Sequence, residues 1–263
     1  MARREAVYPG RPMNKVEQYK IQLQGLQDWD DFLLRESALP GPRANLELLQ
    51  AVADLGSEQL FLRYLAMTPE LAPYGSAEEF LPVCGTAGLG RLVVEGQTEY
   101  WAVLRRQASD RRWRVREAVA IALQRCGRQD MPVLLEEMRR WCKGSLLEKR
   151  AVVAGLCEPA LLVDPINARA VLGVLDEITT SLLNSTNRKG DDFRVLRQAL
   201  GYGWSVAAAA LPEDGKAYLE KWLACQDKDI RWIMQENLKK KRLTRMDAAW
   251  VAERLARMEA AGC

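Results

Sequence analysis

Val115-Arg-Glu-Ala-Val-Ala-Ile-Ala-Leu123 returns 33 residues later as Glu148-Lys-Arg-Ala-Val-Val-Ala-Gly-Leu156, with a similar alternation of small and branched apolar side chains. Weaker echoes follow at Asp192-Phe-Arg-Val-Leu-Arg-Gln-Ala-Leu200 and Asp229-Ile-Arg-Trp-Ile-Met-Gln-Glu-Asn-Leu238, whose Arg197 and Arg231 stand 34 residues apart. Apolar residues three and four apart line one stripe of a helix, and a unit this short cannot cover its own stripe. The recurrence therefore predicts stacked helical pairs, each covering the stripe of the one before. The expected fold is all-α, an α-α superhelix (solenoid) of stacked antiparallel helix pairs, and no set of alternating strands competes with it.

Outward from these phrases, turn residues divide the rest of the chain. Residues 1–14, with Pro9, Gly10 and Pro12, read as a loose leader, and residues 15–263 as a single solenoid, most clearly repetitive over 95–245. Lys15–Leu39 is expected to be helical. Pro40-Gly41-Pro42 then makes a turn before helices over Arg43–Leu55 and Ser57–Met67, the second capped by Ser57. The stretch 78–94 carries Gly85-Thr-Ala-Gly-Leu-Gly90, which lacks the lysine and the preceding strand of a phosphate loop. Small residues for close helix contact explain it better. Helices are further expected over 97–107, 113–126, 130–141, 146–156, 167–183, 193–210, 213–224, 230–241 and 246–258, with Asn184–Gly190 as the clearest exposed loop.

Composition narrows the chemistry. The chain has 263 residues, 48% of them apolar, which is ample for packed cores, and no uninterrupted apolar run long enough to span a bilayer. Met1-Ala-Arg-Arg-Glu leads into Tyr-Pro-Gly rather than into an apolar signal segment, so a soluble cytoplasmic protein with no membrane partner is expected. Six cysteines, at 84, 126, 142, 157, 225 and 263, lie mostly in apolar helical phrases without a CxxC spacing and read as buried thiols. Histidine is absent, which excludes histidine-based zinc motifs, a Ser-His-Asp triad and a Cys-His pair. No metal or other cofactor is expected.

Net charge is only +3, yet residues 1–100 hold 9 basic and 14 acidic side chains (−5), leaving 29 and 21 (+8) for residues 101–263. An anionic partner is therefore sought in the second part. Two clusters stand out there. In Arg105-Arg-Gln-Ala-Ser-Asp-Arg-Arg-Trp-Arg-Val-Arg116, Arg111, Arg112 and Arg114 precede or open a helix, before its apolar face takes over, and are expected to be exposed contacts. Arg116 belongs to the repeat phrase and is read as satisfying helix-end carbonyls or Asp110. The second cluster, Lys239-Lys-Lys-Arg242 with Arg245, ends a helix, where basic groups also suit the negative helix terminus. From it Lys239, Lys240 and Arg242 are taken as phosphate contacts.

Eight tryptophans, at 29, 101, 113, 141, 204, 222, 232 and 250, recur beside helix junctions and suit the grooves between helical pairs. Trp113 and Trp232, next to Arg114 and Arg231, also suit stacking on a base. Asp110, Asp164, Asp191, Asp192, Asp227 and Asp229 all lie near connections, where helix capping competes with any carboxylate chemistry.

Taken together, the phrases at 113–123, 149–156, 193–200 and 231–238 and the Trp141 helix resemble HEAT-like repeats, and more narrowly the branch that includes the bacterial alkylpurine DNA glycosylases. The resemblance implies a concave helical surface that holds DNA and, in the glycosylases, aromatic residues and an aspartate that support loss of a cationic alkylated purine without a metal. This chain has no Trp-Asp-x-x-Asp phrase of that kind; Trp29-Asp30-Asp31 is too early and differently spaced. The expected function is thus a noncatalytic HEAT-like binding or assembly scaffold for a macromolecular partner, a protein or a nucleic acid such as duplex DNA. The alternative is a metal-independent DNA glycosylase acting on alkylated purines.

Overall fold

A computed structural model describes residues 13–260, and among them are fifteen α-helices, one 3₁₀ turn and no strand. The helices are α1 Lys15–Gln24, α2 Asp30–Glu36, α3 Leu46–Leu55, α4 Glu58–Leu65, α5 Phe80–Val94, α6 Tyr100–Gln107, α7 Trp113–Gln129, α8 Met131–Trp141, α9 Leu146–Leu156, α10 Pro165–Leu183, α11 Asp191–Ala210, α12 Pro212–Leu223, α13 Lys228–Leu238, α14 Lys241–Met246 and α15 Ala248–Ala260. The 3₁₀ turn, Pro159–Leu161, lies between α9 and α10. The chain forms two compact units that divide after Gly88. Most of the expected leader, 1–12, lies outside the described residues; Met13 and Asn14 are described, and Asn14 caps α1.

In the first unit the expected helix over Lys15–Leu39 is two helices. Gly25 closes α1 in place of a further turn, and the Asp28 carboxylate accepts the Asp30 N–H at 2.9 Å, starting α2 afresh. Asn45 and Ser57 cap α3 and α4 through the N–H groups of Leu48 and Leu60. Such caps contribute about 1 kcal/mol each. The Asp30 carboxylate ties the pieces together, accepting from both Arg63 terminal nitrogens at 2.7 and 2.8 Å and from the Tyr64 hydroxyl at 2.7 Å.

The second unit carries the repeat phrases. Along α7 the residues Val115, Ala118, Val119, Ala122, Leu123 and Cys126 are buried, the three-and-four spacing that makes one continuous stripe. That helix packs against α9, α9 against α11, α11 against α13, and α13 against α15. The intervening helices flank this row: α8 touches α7 and α9, and α12 touches α11 and α13. Arginines of the phrases close backbone groups at the joints. Arg116 donates to the carbonyls of Asp110 and Arg111 at 2.5 and 3.1 Å, as its place in the repeat suggests. Arg150 donates to the Arg116 carbonyl at 3.2 Å and pairs with Glu117. Burial, and then the neighbouring Arg116 charge, pulls the Arg150 guanidinium down to about 10.

Glycines set the closest approaches. A methyl group on Gly90 would stand 2.7 Å from the Ala122 Cα, so the glycine-containing stretch of α5 serves helix contact. A methyl on Gly215 would stand 2.4 Å from the Ala208 Cα, where α12 meets α11. Because the obstacle is backbone, Gly215→Val is expected to cost about 1–3 kcal/mol through overpacking. A fall in the thermal midpoint checks this, and an unchanged midpoint would show that the two helices do not approach so closely.

Among the described cysteines Cys84, Cys126, Cys142 and Cys157 are buried and Cys225 is half-buried, all as free thiols. Desolvation pushes Cys126, Cys142 and Cys157 up to about 12, so they behave as small apolar groups rather than nucleophiles. No described helix is long and apolar enough to cross a membrane.

Candidate functional site

The two basic clusters face different cavities, both within the second unit. The residues before α7 meet the starts of α9 and α11 around a cavity of about 500 Å³ lined by Arg111, Arg116 and Arg194 together with Asp110, Asp191 and Asp192. Three cations and three carboxylates leave no net charge there. The residues after α13 meet the end of α11 and the turn after α9 around a groove of about 800 Å³. The two cavities share no residue. Val195 lines the first and Val206 the second. On one helix these positions lie roughly 16 Å apart at about 1.5 Å per residue.

The structure corrects the expectation that Arg111, Arg112 and Arg114 are exposed together. Arg111 is exposed, but Arg112 is 3% and Arg114 7% exposed. The loop before α7 folds back so that Arg112 meets Asp110 with its backbone N–H at 2.7 Å, its Nε at 2.9 Å and a terminal nitrogen at 2.7 Å. The Arg114 guanidinium lies 4.8 Å from the Trp113 ring centroid. Both side chains therefore build the helix start.

Lys239, Lys240 and Arg242 do come together, and Lys241 and Arg245 join them. The basic run does not end one helix as expected. Helix α13 stops at Leu238, Lys240 is extended (φ −78°, ψ 125°), and α14 begins at Lys241. This bend spreads the cations along one wall. Lys239 pairs with Glu236 at 2.7 Å, and Lys240 lies 4.0 Å from the same carboxylate. The Lys239 hydrogen bond holds Glu236 below its ordinary range. Arg242 lies 4.5 Å from the Tyr202 ring centroid and donates to its hydroxyl. Lys241 and Arg245 are exposed and have no carboxylate partner among the described residues. No acidic residue among those described lines the groove, so counting Glu236, paired with Lys239, leaves five cations against one carboxylate, a net +4.

The floor is apolar: Pro159, Leu162 and Val163 from the segment after α9, and Val206, Ala209 and Ala210 from α11. Val163 is 83% exposed. The sequence reading left out Lys241 and Arg245, although both belong to the quoted cluster, and the whole floor. Pro159 and Pro165 mark an irregular segment there, but nothing local ties it to a basic run some 80 residues on.

The aspartates near connections are largely engaged. Asp110 holds Arg112, Asp164 caps α10, and Asp191 pairs with Arg194. Asp227 caps α13 and pairs with Arg188 at 2.5 Å. Asp229, 4% exposed, sits between Arg188 at 3.3 Å and Arg197 at 2.6 Å. Asp192 is exposed. Burial works to raise the Asp227 carboxyl, but Arg188 and the N–H groups of Ile230 and Asp229 together hold it below its ordinary value. A carboxylate depressed in the folded state contributes stability above its unfolded value, lost as pH falls through the folded one. Arg188→Gln is therefore expected to lower stability at neutral pH and to flatten the loss of stability below about pH 4. An unaltered acid-unfolding curve would remove this pair from the account.

Of the tryptophans, Trp141 and Trp204 are fully buried and Trp222 is 4% exposed, as core packing requires. Trp113 is exposed beside Arg114, and Trp232 is half-buried under Arg197, 4.4 Å from its ring centroid. No group of three or more potential metal ligands occurs among the described residues. No protein-family model, curated protein or solved structure matches the chain.

Proposed function

We propose that this chain is a noncatalytic HEAT-like scaffold, its helical pairs stacked as a solenoid, and that it binds nucleic acid through the sugar-phosphate backbone in the groove formed by Lys239, Lys240, Lys241, Arg242 and Arg245. One observation carries the reading: five cations line a single groove with one carboxylate, Glu236, against them, whereas the cavity beside Arg111 is charge-balanced. Phosphate contacts need closely spaced cations that are not already neutralised, and their affinity falls with salt because counterions are released on binding. The row of helices α7, α9, α11 and α13, recurring with the sequence phrases, supports the solenoid reading.

The test is a salt titration of binding to fluorescent DNA. Lys241→Gln with Arg245→Gln removes two cations that hold no structural partner, so folding should be retained. The slope of log affinity against log salt is expected to fall by about 2, nearly one per lost contact. Arg111→Gln at the balanced cavity should change the slope little. Equal slopes for wild type and the double variant would reject the groove. Release of free modified base from alkylated duplex would replace the scaffold reading with the glycosylase one.

A further inference from the structure

The groove has two chemically different walls, and a duplex uses only one of them. Cations from the α13–α14 bend form the first. The second is one face of α11, where Ala209 and Ala210 stand seven and eight residues from Tyr202, in one stripe over the buried Val206. Across from it lies Val163, 83% exposed, on the segment after α9. Tyr202 is 46% exposed and carries the Arg242 guanidinium 4.5 Å from its ring centroid, which leaves a flat aromatic and cationic surface at the end of the stripe. A duplex turns phosphates and sugars outward and keeps its base faces stacked inside, so it offers this floor no apolar face. A single strand carries phosphates along one edge and unstacked base faces along the other. The alanines make the floor shallow, suited to flat rings rather than to the branched side chains of an acidic protein segment.

We infer that the groove takes single-stranded nucleic acid, with phosphates on the 239–245 wall and bases laid on Tyr202, Ala209 and Val163. The inference rests on the reading of the groove as a phosphate site and names its substrate class. The cations supply sequence-independent attraction, and the floor separates single from double strands. Arg242 belongs to both walls: its charge faces the phosphates while its guanidinium lies over the Tyr202 ring.

Fluorescence anisotropy at one fixed low salt tests this on the full chain with four probes: a mixed-sequence single strand, the same strand annealed to its complement, an abasic strand of equal length, and an acidic amphipathic peptide of equal charge. The single strand is expected to bind about tenfold tighter than the duplex or the abasic strand. Val163→Ser with Tyr202→Ser, both at exposed positions, should remove most of that advantage by weakening single-strand binding more than duplex or abasic binding. Lys241→Gln with Arg245→Gln should weaken all three nucleic-acid probes together. Duplex or abasic binding equal to single-strand binding would overturn the inference while leaving the phosphate groove in place, and tighter binding of the peptide would overturn it in favour of a protein partner. No binding of any probe by folded protein would reject the groove itself.

Discussion

Trp204→Ala is expected to lose about 3–5 kcal/mol of stability, the usual cost of deleting a fully buried aromatic. Trp204 has no exposed surface, sits midway along α11, donates from its indole N–H to the Thr179 hydroxyl of α10 at 3.0 Å, and lies 5.9 Å from the Tyr218 ring of α12. The substitution opens a cavity where three helices meet and leaves the buried Thr179 hydroxyl without this donor. Against a total stability of about 5–15 kcal/mol this is a large share. In the second unit the thermal midpoint should fall by about 10 °C or more, at roughly 2–4 °C per kcal/mol. Trp204→Phe, which keeps most of the ring and loses only the donor, should fall much less. A midpoint for the alanine variant within the error of wild type would mean that α11 does not pack as described.

The second large effect belongs to Asn237, a fully buried polar residue within the last repeat phrase. Its Oδ1 accepts the Ser205 N–H at 2.7 Å, and its Nδ2 donates to the carbonyls of Leu200 and Ile233, both at 2.8 Å. One side chain of α13 is thereby bonded into the backbone of α11. Asn237→Leu keeps the branched shape and removes all three bonds, leaving buried backbone groups without these partners. A loss of about 2–4 kcal/mol is expected, since each buried group left unsatisfied costs roughly 1–3 kcal/mol. Asn237→Asp distinguishes polarity from hydrogen-bond direction. It retains an acceptor for Ser205 but aims a carboxylate at two carbonyls, so the folded state raises its pKa and favours the protonated form. Its stability deficit should therefore shrink as pH falls toward 5, the opposite of the trend from Asp227. A leucine variant as stable as wild type would show that these bonds do not hold α11 to α13.

What the sequence disclosed was whatever repeats or caps locally. The stripe of Val115, Val119 and Leu123 announces a helix and its buried face at once, and Ser57 and Asp130 mark starts because a side-chain oxygen two or three residues before an N–H is a local fact. Asn237 stood in an apolar phrase, but the two partners that bond it to α11 lie 32 and 37 residues back, beyond any local pattern. The exposure of Arg112 and Arg114 was misread for a related reason. Position before a helix predicts solvent only if the loop runs outward, and this loop returns the Asp110 carboxylate to Arg112. The groove was half legible. Its cations form a run that composition alone reveals, whereas its floor joins segments at 159–163 and 206–210 that only packing brings together.

Helix starts along the row fall at 113, 146, 191 and 228, giving spacings of 33, 45 and 37 residues. Helix α11 still packs on α9 across the longest of these, so the additional residues are displaced into the 3₁₀ turn, the Leu162–Asp164 segment and an α10 of 19 residues where α8 has 11. Val163, the exposed part of the groove floor, thus belongs to these additional residues. On the proposed reading, recognition and architecture are written in separable parts of the gene: the recurring phrases hold the row of helices, and the longest spacing in it supplies part of the binding surface. Such a surface is free to drift, lengthen or disappear under selection while the row of helices beneath it stays the same.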